Sequence, residues 1–143
     1  MTIENREENA MKKRFLAILL CLCCAFALCA TASAMNHIYL SVNQYWMTQP
    51  AVQRSGRYSY VEAQCLAVHP AVAGGADNLR YIQAHATTEG GTNITGITTL
   101  DERDSSPSSL TLKEGYLNVS TVVFEFRGST SAAAYADVTY DAK

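Results

Sequence analysis

The sequence predicts an all-β protein: a single antiparallel β-sandwich of about seven strands behind an N-terminal signal peptide, with a small β-barrel as the alternative. Three observations lead there. From Ile38 onward apolar and polar residues alternate with a period of two, as they do in strands with one buried face. Clusters of Gly, Pro, Ser and Asn cut this pattern at short spacing, which favours hairpins and a sandwich. No window of the chain carries its apolar residues at helical spacing, whereas β-branched and aromatic residues are abundant.

The leading segment has a different character. Met11-Lys12-Lys13-Arg14 precedes an apolar run from Phe15 to Ala30, followed by Thr31-Ala32-Ser33-Ala34. A basic start, an apolar middle and a small-residue end make a secretory signal peptide. Its 16 apolar residues reach about 24 Å as a helix, short of the roughly 20 residues that a membrane span requires. No Lys or Arg follows Arg14 until Arg54, so no stop-transfer cluster is present. Cleavage is expected after Ala34, with Ala32 as the alternative, and Met11 is a second candidate start. Leu28 is too bulky before Cys29 for a lipoprotein signal. The short lysine-rich start reads as bacterial, and the mature chain is expected to be secreted or held at the cell surface.

Residues 35–143 then form one domain, whose elements follow in order. Ile38, Leu40 and Val42 alternate with Tyr39, Ser41 and Asn43 in a first strand that runs through Trp46 to Gln49-Pro50. The second strand spans Arg57 to His69, with Val61, Ala63, Cys65 and Ala67 on one face and Tyr58, Tyr60, Glu62 and Gln64 on the other. A turn over 73–78 leads to the third strand, Leu79 to Thr87, and Gly90-Gly91 leads to a Thr-rich strand near 93–100. The polar stretch 101–109 is a loop. Leu110 to Lys113 starts a strand broken at Glu114-Gly115. Tyr116 to Arg127 is the strongest strand, and 128–131 turns it into the last, Ala132 to Tyr140.

Composition narrows the function. The mature segment has ten acidic and seven basic residues, with arginines scattered rather than clustered. That balance predicts neither a nucleic-acid surface nor attachment to an anionic membrane. Of five cysteines, four lie between Cys21 and Cys29 and leave with the signal, so Cys65 is expected as a lone, small buried hydrophobe without a disulfide.

The usual chemical constellations are missing. His37, His69 and His85 fall on three different strands with no H-x-H or C-x-x-C spacing, so no metal and no cofactor are expected. Cys65 and His69 are read on one strand face but about 13 Å apart, too far for a shared ion. His85 is expected at the surface. Asp101, Glu102 and Asp104 lack the spacing of a calcium loop and read as a solvated acidic loop. No G-x-S-x-G elbow is present. Glu62 and Glu125 are the in-strand glutamates that a carboxylate pair would use, and both are expected to face solvent. Asn93-Ile94-Thr95 and Asn118-Val119-Ser120 match the glycosylation sequon, the second inside a strand.

One feature has binding character. Tyr45, Trp46, Tyr58, Tyr60 and Tyr81, with Tyr39, concentrate in the first three strands, near Arg54, Arg57 and Gln64. They are the candidate residues of an aromatic sheet face for a glycan or a protein. The expected function is a non-enzymatic, secreted binding domain acting at a cell surface. The alternatives are a bacteriocin-like toxin and a small extracellular hydrolase.

Overall fold

Nine strands are present among the described residues. They are β1 (Asn36–Leu40), β2 (Met47–Thr48), β3 (Val52–Gln53), β4 (Tyr60–Pro70), β5 (Tyr81–Thr87), β6 (Thr98–Asp101), β7 (Ser108–Thr111), β8 (Thr121–Gly128) and β9 (Ala134–Asp141), with one 3-10 turn at Glu114–Tyr116. The computed structural model describes residues 35–75 and 79–143. The signal segment with Ala32 and Ala34, and positions 76–78 of the expected turn, lie outside the described residues. The described residues belong to one compact unit.

The strands make two packed antiparallel sheets, a β-sandwich. Sheet A has the order β1-β9-β4-β7; sheet B has β8-β5-β6, with β2 and β3 both along the free side of β8. Alternation explains the packing. Ile38, Leu40, Val61, Ala63, Cys65, Ala136 and Val138 point inward from sheet A, and Ile82, Ala84, Val122, Phe124 and Phe126 point inward from sheet B. The two phenylalanines hold the centre, with ring centroids 4.8 and 5.8 Å from that of Tyr140.

The expected first strand is two strands in different sheets. After Leu40 the chain turns, with the Gln44 N–H donating to the Ser41 carbonyl at 3.1 Å and Gln44 in the left-handed region at φ 55°. β2 then joins β8 on the opposite sheet, and Pro50, which has no N–H to donate, separates β2 from β3. Period two continues through this crossover in the sequence, so alternation alone does not reveal it. The strongest predicted strand is also shorter than expected. Tyr116 to Ser120 is turn, and Asn118 is exposed in that turn rather than in a strand. Arg54 fixes this turn: its buried guanidinium donates to the carbonyls of Tyr58 and Leu117, and its backbone N–H donates to Ser120 at 2.8 Å.

β4 contains a bulge. Its register with β9 shifts between Cys65 and Ala67, so Val68 replaces Ala67 in the core. Cys65 and His69 therefore lie on opposite faces, Cys65 buried and His69 exposed, instead of sharing one. Beyond Ala63, where pairing with β7 stops, the acidic loop takes over. Glu102 accepts from the Val68 N–H at 2.9 Å, and the Asp104 carbonyl accepts from Gln64 at 2.9 Å. Cys65 is the small buried residue expected, and burial, aided by Glu102, pushes its thiol up to about 12. It stays protonated and a poor nucleophile.

Candidate ligand-binding faces

The outer side of sheet A gathers residues that the sequence scatters. His37 and Tyr39 alternate with the buried Ile38 and Leu40 on β1, and Tyr135 and Asp137 alternate with Ala134, Ala136 and Val138 on β9. Register sets His37 across from Asp137 and Tyr39 across from Tyr135. On the other side of β9, His69 stands across from Tyr135. His37 Nδ1 and His69 Nε2 lie 2.6 and 2.9 Å from the two oxygens of the Asp137 carboxylate. A carboxylate only accepts, so these nitrogens carry the hydrogens, and the other ring nitrogens are acceptors in the neutral imidazoles. The two histidine bonds, His37 first, hold the Asp137 carboxyl below its usual range against a small opposing effect of burial.

Rings complete the cluster. The His37 and Tyr135 rings stack at 4.8 Å and 9°, and Tyr39 sits 5.4 Å from Tyr135. The two histidine side chains are about half exposed, at 55% and 52%. The same face continues along β4 past Gln64 to Glu62, where Lys143 bridges Glu62 and Asp141 at 3.1 and 3.2 Å. Tyr60 and Tyr58 close the strip, their rings 5.3 Å apart. From His69 back to Tyr60 along β4 is about 30 Å.

The outer side of sheet B is organised differently. His85 is buried, contrary to the expected surface position, because Trp46 lies against it with ring centroids 3.9 Å apart. The crossover into β2 carries Trp46 there. Arg127 stands 4.4 Å from the Trp46 ring centroid and donates to Gln83 at 2.7 Å. Glu125 accepts from His85 at 2.6 Å and from Thr48 at 2.8 Å. Among the described residues His85 Nδ1 is buried without a hydrogen-bond partner. Apart from that nitrogen, the polar groups named on this face engage one another.

The predicted aromatic residues thus divide between faces. Tyr58 and Tyr60 meet on sheet A; Trp46 and Tyr81 belong to sheet B, Tyr81 with the Arg80 guanidinium 5.6 Å from its ring. Tyr45 is exposed in the crossover between them. Arg54 serves the turn clamp, and Arg57 is exposed. His37, His69, Tyr135 and Asp137 are the residues that sequence reasoning missed. Alternation on the last strand points Tyr135 and Asp137 outward, but nothing local in sequence pairs that strand with the first.

Other arrangements are now placed as well. Glu62 and Glu125 project from the outer faces of different sheets, so they do not flank a common cleft. Asp101 is engaged by Arg103 at 2.8 Å and Arg80 at 3.5 Å. Among the described residues no group of three His, Cys, Asp or Glu side chains is arranged to hold a metal ion. No described helix is long and apolar enough to cross a membrane. A shallow open depression of about 400 Å³ lies between Thr88–Gly90 and Asn118–Thr121. Compared with family models, curated proteins and solved structures, the chain matches none.

Proposed function

We propose that the chain is an exported, non-enzymatic binding domain whose ligand is a cell-surface glycan, taken on the outer face of sheet A. The supporting observation is the cluster of His37, Tyr39, His69, Tyr135 and Asp137, drawn from three strands onto one solvent-facing patch. A sugar offers C–H faces that pack on aromatic rings, and hydroxyls that donate to a carboxylate and to imidazole nitrogens. A flat strip about 30 Å long suits an extended polymer, whereas small molecules favour concave pockets. The leader sequence supplies the reason to place the ligand outside the cell.

A glycan array and a pull-down on cell-wall material test this reading. Wild-type protein is expected to bind at least one glycan, and Tyr39→Ala and Tyr135→Ala are each expected to weaken binding about tenfold or more. Tyr81→Ala, on the other sheet, leaves binding unchanged. An empty array together with an empty pull-down overturns the reading. Recovery of a protein alone replaces the glycan with a protein ligand.

A further inference from the structure

We infer, building on the glycan reading above, that the patch around Asp137 takes a primary ammonium group and that the glycan carries free amino sugars. A carboxylate and ring surface meet there. Asp137 keeps 17% of its side chain exposed between His37 and His69. Its carboxyl is held low, so it is ionised at neutral pH. With both imidazoles neutral, the cluster carries a negative charge that nothing in it offsets. Tyr39 and Tyr135 stand on the same face with centroids 5.4 Å apart, and His37 stacks on Tyr135.

Elsewhere the chain supplies such places with its own cations. On sheet B, Arg127 lies over the Trp46 ring and Arg80 over the Tyr81 ring. On sheet A, the Lys143 ammonium is held by both Glu62 and Asp141, farther along the same face. No Lys or Arg occurs in β1, β4, β7 or β9, whereas these strands carry three carboxylates, Glu62, Asp137 and Asp141. Lys143 is committed to two of them. Among the described residues Asp137 and its neighbouring rings therefore have no Lys or Arg of the chain's own. A carboxylate beside tyrosine rings attracts an ammonium twice, through its charge and through the ring faces.

Hydrogen-bonding capacity selects the kind of cation. Each Asp137 oxygen takes one histidine N–H and has a lone pair left for another donor. The second ring nitrogens of His37 and His69 are acceptors as well. A primary ammonium has three N–H groups to give to such acceptors. A quaternary ammonium has none, and an N-acetyl group offers one N–H without a charge. A carboxylated or sulfated sugar sets like charge against Asp137, which disfavours it. The ring that bears the amine still has a C–H face to lay on Tyr39 or Tyr135.

Binding of the purified protein to a soluble glucosamine oligomer and to its fully N-acetylated counterpart, at neutral pH, decides the matter. The amine form is expected to bind about tenfold more tightly in low salt, and the preference to shrink in about 0.5 M salt. Asp137→Asn, which keeps the side-chain shape and drops the charge, is expected to lose the preference with an unchanged circular dichroism spectrum. Glu89→Gln removes the same charge from an exposed loop and is expected to keep it. If Asp137→Asn fails to fold, the wild-type comparison alone decides. Equal binding of the two oligomers, tighter binding of the acetylated one, or a preference that survives in folded Asp137→Asn overturns the ammonium site and leaves the glycan reading standing. Binding of neither oligomer, with another glycan bound on the array, does the same. No bound glycan at all overturns both, and capture of polylysine in that case puts a basic protein in the glycan's place.

Discussion

Asp137 is the residue through which three strands of sheet A communicate on their solvent side, and it should govern behaviour in acid. Its carboxyl is held below the ordinary value by His37 and His69. A depressed folded pKa contributes stability that is fully present above the unfolded value, near pH 4, and is lost as pH falls through the lower folded value. Asp137→Asn is therefore expected to be less stable than wild type at pH 5 to 6. The two proteins should converge as pH falls through the lowered Asp137 range, where wild type loses its advantage. Urea unfolding across that range checks this; a difference that does not shrink on acidification refutes it. The neighbouring residues were only half legible. Outward orientation of Tyr135 and Asp137 follows from the buried Ala134, Ala136 and Val138. Their meeting with His37 depends on a register set a hundred residues away.

At the scale of elements, the bulge in β4 ties local irregularity to the loop that serves it. One extra residue at Leu66 re-aims everything after it, placing Val68 in the core and His69 on the outer face of sheet A. The Val68 N–H has Glu102 as its acceptor, and the Glu102→Ala variant leaves that amide to solvent or unsatisfied. The expected cost is about 1–3 kcal/mol, with faster amide exchange at Val68 than at Ala63. Glu102→Gln, which keeps an acceptor oxygen, is expected to recover most of the loss. Equal stability of Glu102→Ala and wild type excludes this role. The acidic loop was legible as a loop, but its purpose was not. A bulge breaks the period on which strand reading depends, and its partner lies 34 positions away. The same limit applied to the crossover at Ser41–Gln44, where alternation continues while the chain changes sheets.

At the largest scale the described residues form a sandwich with many small residues between its sheets. Ala63, Ala84, Ala86, Ala134 and Ala136 are all buried, so Phe124 and Phe126 supply much of the central volume. Phe124 has no exposed surface and contacts both Phe126 and Tyr140. Phe124→Ala is expected to cost about 3–5 kcal/mol, a large share of the 5–15 kcal/mol typical of a domain. Denaturant titration should show a much lower midpoint, and a loss below about 1 kcal/mol would mean that the core collapses to fill the space. The fold class was legible because period two and turn residues report it directly. Which strand neighbours which was not, because both sheets join sequence-distant strands.

That wiring has a consequence for when the protein can fold. β1 has its partner in β9, which follows all the other described strands in the chain, and β4 shares its longest pairing with the same strand. β2 and β3 likewise wait for β8. A growing chain short of Ala134 thus has neither a place for its first strand nor most of the support for its longest one. Such late, long-range closure is slow. A domain that closes only once β9 has appeared stays open for as long as the strands before it are being made.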